Sequence, residues 1–410
     1  MTKNFLKNIF LNNISQGLQF GSRWLLTIIL LRVLSIEMFA VFSFIYSISN
    51  ILVSILPFGS QIYLINKSDL SLSGLKELTT SISIIIVLFL LAMLVCTVYF
   101  LVNPSDQSAS LMPLSIFLSL ILSLNVIFFS FLKGVGNFSF ELKIYSIFSV
   151  LILLLAGYLY FIGTLSVFTI LSLLILLNSL MTFFVFRFSK ILNIKQLLSL
   201  IDFQKETIIN GFSKRLFFGL QELVTASYAQ GGMLILFYII SNKIYGEYRA
   251  MLILTAPFGL VNVAVSQVLL SHLKKVSKDK MGKVFRKLHF PFVVLLTVFL
   301  IVIYFFGKPI VKLITGLEYS ESIRFSYIGV LLIIFTSFVY AGYEMLLVVL
   351  DKQKLRFYVM FFGAVINILS IVMLLPKYGL EGAILTNVIS NIAVFIGMVI
   401  ITETTLNKLK

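Results

Sequence analysis

Apolar residues run along this chain in long blocks parted by short polar turns, and the blocks have the length of a bilayer. An apolar helix needs about 20 residues to cross roughly 30 Å of hydrocarbon. Windows of that length mark twelve spans, at residues 9–31, 39–65, 80–102, 111–132, 143–162, 164–188, 211–240, 248–270, 290–307, 323–350, 355–375 and 382–401. The tightest turn is at Gly163. The longest polar interval, 189–210, carries Lys190, Lys195 and Lys205 between apolar residues and reads as an amphipathic helix on the membrane surface. The expected architecture is all-α and polytopic, with twelve transmembrane helices. An N-terminal six-helix bundle covers 1–188, a linker 189–210, and a C-terminal six-helix bundle 211–410.

The two halves look alike in outline. Glu37-Met38-Phe39-Ala40 opens the second span and Glu247-Tyr248-Arg249-Ala250 the eighth, a shift of 210 residues. Leu132-Lys133-Gly134-Val135-Gly136 before the fifth span matches in place Leu350-Asp351-Lys352-Gln353-Lys354 before the eleventh, and Gly163 matches Gly379. Such order predicts a duplicated six-helix unit with a site between the halves.

Polar residues interrupt the spans at helical spacing. In the first, Asn12, Gln16, Gln19 and Arg23 recur at four, three and four residues, which sets them on one helix face. An arginine at the bilayer centre costs about 2.5–3.5 kcal/mol on insertion scales. Two readings of Arg23 follow: a cationic site on a transport pathway, or a structural arginine paired to a buried carboxylate. Gly17 and Gly21, a G-x-x-x-G beside this stripe, predict close helix packing. The second span places Ser43, Ser47, Asn50, Ser54, Pro57 and Gln61 on one face, and Asn50 and Gln61 join the first-span stripe as candidates to line a wet corridor. Interhelical hydrogen bonding is the alternative for the whole polar set. Glu222 and Glu344 are the carboxylates within the spans. For Glu222 the options are coupling to a proton or cation, or pairing with Arg23; Glu344 is the second coupling candidate, or a side chain that snorkels to the interface. Pro57 and Pro257 each precede Phe-Gly and predict a bend in the second and eighth spans.

Composition agrees with the pattern. Hydrophobic residues make up 60% of the chain, charged residues 12%, and mean hydropathy is +1.07, which excludes an ordinary soluble domain. A net charge of +16 would suggest nucleic acid in a soluble protein. Here the basic residues sit between apolar spans, so nucleic acid is not an expected partner. Intervals on the side of the N-terminus hold 24 Lys and Arg, and opposite loops hold 7, which predicts both termini in the cytoplasm. The stretch 274–287 is the most basic; it reads as a solvated inner loop, with attraction of anionic lipid headgroups as the alternative. His272 and His289 flank it without metal-ligand spacing and read as ordinary surface residues. Cys96, the single cysteine, excludes an internal disulfide and reads as a packing residue. Lys3 and Lys7 precede a span too long for a signal peptide, so no cleaved leader is expected.

Catalytic constellations are not found. The chain has no G-x-x-x-x-G-K-[ST] phosphate loop, and no outer loop is long enough to present paired acids for glycosyl transfer. Polar stripes without nucleophile or base favour binding and translocation over an enzyme, and no cofactor or metal is expected.

Several short motifs carry a family likeness. Leu350-Asp351-Lys352-Gln353-Lys354, Ile366-Asn367-Ile368 and Leu375-Pro376-Lys377-Tyr378-Gly379-Leu380-Glu381-Gly382-Ala383 resemble the polysaccharide-transporter family of the multidrug/oligosaccharidyl-lipid/polysaccharide exporter superfamily. Leu31-Arg32-Val33-Leu34-Ser35-Ile36-Glu37 and Ile314-Thr315-Gly316-Leu317-Glu318-Tyr319 add to it, and in layout the resemblance covers the whole chain. It implies an O-antigen flippase of the bacterial inner membrane, acting in lipopolysaccharide and surface-polysaccharide biosynthesis. The implied substrate is an undecaprenyl-diphosphate-linked oligosaccharide. Membrane lipids, a coupling proton or sodium ion and other polysaccharide-assembly proteins are the implied partners. It also implies a cavity arginine that binds the diphosphate, a role Arg23 matches by helix and depth. Two other readings stay open: a multidrug cation antiporter of the same superfamily, using Glu222 or Glu344 without need of Arg23, and a membrane O-antigen polymerase or glycosyltransferase.

The charge asymmetry makes a direct prediction. Reporter fusions at Lys278 and Lys195 should read cytoplasmic, and fusions at Asp106 and Glu318 external. An external signal at Lys278 would overturn the orientation and the half-repeat together.

Overall fold

The structure, a computed structural model, describes residues 3–102, 107–162, 166–189, 193–226, 232–273, 276–350 and 352–408. Helices follow the apolar blocks. In chain order they are α1 (Lys3–Val33), α2 (Ile36–Ile55), α3 (Ser60–Lys67), α4 (Leu72–Val102), α5 (Gln107–Gly134), α6 (Phe138–Ile162), α7 (Val167–Phe188), α8 (Ile194–Leu200), α9 (Lys205–Ala226), α10 (Gly232–Ile239), α11 (Asn242–Leu252), α12 (Ala256–Leu273), α13 (Lys278–Phe305), α14 (Gly307–Thr315), α15 (Glu321–Val349) and α16 (Gln353–Asn407). Eight of them are by themselves long and apolar enough to cross a membrane: α2, α4, α5, α6, α7, α13, α15 and α16. The other expected spans are α1, the α9–α10 run, the α11–α12 run and the second half of α16.

Where spans are broken, the sequence supplies the cause. Pro57 lacks an N–H and clashes with the preceding turn, so α2 stops at Ile55. Phe58 (φ 43°) and Gly59 (φ 73°) then take left-handed backbone before α3 begins. The second Pro-Phe-Gly acts differently: a short 3-10 turn over Ile253–Thr255 ends α11, and Pro257 falls in the first turn of α12, where its missing N–H costs nothing. In α16 the break is Gly379 (φ 51°), just after Pro376, at the expected turn between the last two spans. Gly163 itself lies outside the described residues; beyond it, the Ser166 side chain accepts from Thr169 N–H and opens α7 with a reciprocal cap.

The chain divides into two compact units. One comprises Met1–Ile29 with Val41–Leu234, the other Leu30–Ala40 with Ile235–Lys410. In the first unit, Leu78, Ile82 and Ile85 of α4, Phe128 and Phe131 of α5, Tyr145 and Phe148 of α6 and Met181 of α7 form one buried core, which Leu197 of α8 joins. Ile194 and Leu198 of α8 stay exposed. Cys96 is buried, as a packing residue should be. On α4 only 17% of the span window is buried, so most of its apolar side chains face outward, as a lipid solvent allows.

An ionic cluster ties α9 to α4 in this unit. Arg215 is fully buried, and its guanidinium donates to Glu77 Oε2 (3.0 Å), Glu77 O (3.1 Å), Ser81 Oγ (3.2 Å) and Gly211 O (3.0 Å). It also lies 4.2 Å from the centre of the Tyr63 ring, and Lys214 reaches the other Glu77 oxygen at 2.8 Å.

In the second unit, segments that the half-repeat equates meet each other. A Cβ on Gly246 would lie 2.4 Å from the Ile36 carbonyl oxygen, so the start of α2 rests on α11 at a position only glycine fits. Two of the family-like motifs meet as well. Arg32 donates to the carbonyls of Lys312 (2.6 Å) and Leu313, capping α14 beside Gly316 (φ 77°).

Two expectations are corrected. His289 is buried, not superficial: its ring stacks on Phe285 (5.1 Å) and Phe338 (5.7 Å), because α13 presses this face onto α15 at Gly342. The His272 side chain lies outside the described residues. Gly17 and Gly21 make no close helix contact, since a Cβ on either would meet nothing within 4 Å.

Glu77→Leu should strand the Arg215 charge and lower stability by about 3 kcal/mol, the low end for a broken buried pair because Glu77 keeps some solvent. Thermal unfolding of the purified protein measures it, and adding Arg215→Met should restore most of the loss. An unchanged midpoint for Glu77→Leu would show that the ionic cluster does not hold α9 to α4.

Candidate functional site: the Arg23 pocket

The middle of α1 faces α6 in the first unit. Gln19 donates to the Tyr145 hydroxyl at 2.8 Å, and Ser149 donates to the Leu18 carbonyl at 3.3 Å. These bonds fix the rotation of α1 and set Arg23 into a pocket with Gln19, Ser22, Tyr46, Tyr145, Ser149 and Asn178. Aliphatic residues of α5 and α7, such as Leu122 and Leu174, close its floor. Local back-bonds occupy some polar groups: Ser22 donates to Gln19 O (3.2 Å) and Thr27 to Arg23 O (2.7 Å). Among the described residues no carboxylate pairs with Arg23, and none lines the pocket. The pocket thus presents one positive charge with hydroxyl and amide groups in apolar walls, a setting that suits an anion.

The structure brings together only part of the predicted set. Gln19 and Arg23 share the pocket; the side chains of Asn12 and Gln16 lie outside the described residues. Asn50 is half-buried on α2, where its carbonyl accepts from Ser54 (3.3 Å), and it does not line the pocket. Gln61 is exposed on α3, beyond the break that ends the α2 stripe. Ser43 and Ser47 are buried, and Ser47 bonds back to Ser43 O at 2.7 Å, while Ser49 bonds Ser115 across to α5. Tyr46, Tyr145, Ser149 and Asn178 were not among the expected site residues; Tyr145 and Ser149, four apart on one face of α6, carry the spacing that could have found them.

The two span carboxylates have separate partners. Glu222 accepts from Gly59 N–H at 2.8 Å, filling the donor freed by the break between α2 and α3. The backbones are close there: a Cβ on Gly219 would lie 2.9 Å from the Phe58 ring, and one on Gly59 would lie 2.5 Å from Gly219 N. Glu222 is therefore not the partner of Arg23. In the second unit Glu344 accepts from Arg356 Nε at 2.6 Å. Among the described residues no three His, Cys, Asp or Glu side chains gather as a metal would require.

No protein-family model matches the sequence, and no curated protein matches it. Solved structures do. The lipid II flippase MurJ in an inward closed conformation superposes with a TM-score of 0.75 at 15% identity, covering 96% of this chain and 87% of that one. An inward-facing multidrug resistance MATE family transporter of the MOP superfamily gives 0.67 at 14%, covering 97% and 94%. A MOP superfamily transporter from Pyrococcus furiosus gives 0.63 at 12%, covering 99% and 96%. The chain has the MOP-transporter fold. This bears out the all-α, twelve-helix architecture expected from the hydropathy blocks.

Glu222→Leu removes the acceptor for Gly59 N–H and should destabilise the purified protein by about 1–3 kcal/mol. Glu222→Gln keeps a carbonyl oxygen at the same reach and should unfold near the wild-type temperature. Equal midpoints for Leu and wild type would show that the bond contributes nothing.

Proposed function

We propose that the protein is a flippase that moves an undecaprenyl-diphosphate-linked oligosaccharide, an O-antigen repeat unit, outward across the bacterial inner membrane by alternating access. The observation that carries this reading is Arg23, an intramembrane cation in a polar pocket with no carboxylate partner among the described residues. Its forked donors suit phosphate oxygens. Gln19, Gln16 and Asn12 continue the same face of α1, with Asn50 and Gln61 as further sugar contacts, and the polyprenyl tail stays in lipid. Moving a diphosphate outward is downhill in the membrane potential by about 2.3 kcal/mol per charge per 100 mV. Glu222 and Glu344 are the proposed coupling sites for a proton or sodium ion. Both termini are cytoplasmic in this reading. The halves 1–188 and 211–410 act as the two bundles, and the product passes to other polysaccharide-assembly proteins. Two features support it: the likeness to a lipid II flippase in fold and the polysaccharide-transporter motifs in sequence.

The test is export of lipid-linked sugar in cells, normalised to folded protein in the membrane. Arg23→Lys should retain partial export, since charge survives without the fork; Arg23→Gln should abolish it. Glu222→Gln should impair export more than Glu344→Gln. Normal export by well-folded Arg23→Gln would sink the phosphate site. Together with cation-driven drug efflux, it would favour the antiporter reading.

A further inference from the structure

A groove runs along the outer seam of α5 and α7 in the first unit. Ile121 and Leu124 of α5 and Phe183 and Phe186 of α7 form its walls, with Arg187 and Asn193 at its mouth. Phe186 is held by Phe128 at 4.8 Å, so that wall is fixed. The floor carries Ser179 and Thr182, yet their hydroxyls are already engaged. Ser179 donates to Ile175 O (2.8 Å), and Thr182 to Asn125 Oδ1 (2.8 Å) and Asn178 O (3.0 Å). With those bonds made, the floor offers hydrocarbon to an occupant. From Ser179 to Arg187 the helix rises about 12 Å, close to half the hydrocarbon thickness of a bilayer. The lining is cationic: Arg187 is exposed and has no carboxylate partner among the described residues, and no acid lines the groove.

We propose that this groove is a binding site for an anionic phospholipid, one acyl chain lying on Ser179 and Thr182 and the phosphate resting at Arg187. The depth matches one leaflet and the charge matches an acidic headgroup, which on the orientation proposed above is that of the inner leaflet. The site lies apart from Arg23 and its occupancy is read without transport, so its failure leaves the flippase reading untouched, and the reverse.

The experiment is native mass spectrometry of the purified full-length protein in detergent, titrated with phosphatidylglycerol, phosphatidylcholine or undecaprenyl phosphate. Wild type should carry at least fivefold more phosphatidylglycerol than phosphatidylcholine. Arg187→Gln should bring phosphatidylglycerol down to the phosphatidylcholine level, and Arg187→Lys should keep most of the preference. Ser179→Phe, which fills the floor, should remove adducts of both lipids. Arg187 is exposed, so its variants carry the test even where Ser179→Phe does not fold. Equal binding of the two phospholipids by wild type, or an unchanged preference in Arg187→Gln, would overturn the proposal. So would displacement of phosphatidylglycerol by equimolar undecaprenyl phosphate, which would assign the groove to the carrier lipid.

Discussion

Gly59 N–H has no partner in its own helix, and hydrocarbon offers none. Pro57 forces this situation by ending α2 inside a span, and two residues with positive φ follow before α3 can start. The missing acceptor comes from Glu222, on a helix more than 160 residues away in sequence. Once that bond is made, α9 must lie against the turn closely enough that only glycine fits at 219. Seven residues earlier on the same helix, Phe212 meets the Phe58 ring edge-on at 4.9 Å. Arg215 then falls beside Glu77 and Tyr63 and fastens α9 to α4. The membership of α9 in the first compact unit follows from this chain of contacts.

Arg23 and Arg215 show how differently one residue type is used in a membrane fold. Both carry a permanent charge away from bulk water. Arg215 is neutralised by Glu77, its two terminal nitrogens are engaged by carbonyls, a hydroxyl and the carboxylate, and a ring covers it, an arrangement that stabilises packing. Arg23 has hydroxyls and two amides around it and apolar walls behind it. The depth of Arg23 is legible in the sequence; the pairing of Arg215 with Glu77 is not.

The spans were legible because a bilayer selects by composition over about 20 residues, a signal that survives any detail of packing. Breaks were legible where proline and glycine cause them, at Pro57 and Gly379. Pairings across the fold were not. Glu77 and Arg215 stand 138 residues apart, Gln19 and Tyr145 126, and nothing local in either stretch points to the other. His289 was misread because it directly follows the most basic stretch of the chain, while its neighbours in space are rings. For the candidate site, periodicity found Gln19 and Arg23 on α1. It did not single out Tyr46, Tyr145, Ser149 and Asn178, which complete the pocket from α2, α6 and α7, because which face of each helix meets α1 is decided by packing across the fold.

The contact of Phe58 with Gly219 has a consequence for how such a sequence can drift. The ring lies flat against the α9 backbone, so the volume at 58 and the volume at 219 draw on one fixed space. Neither position can grow alone. A methyl group at 219 becomes admissible only when the ring at 58 shrinks, and a smaller residue at 58 opens a void that a larger one at 219 would fill. Divergent sequences that keep this crossing should therefore exchange bulk between the two positions while their sum stays nearly constant. That covariation links the second span to the seventh across some 160 residues of sequence.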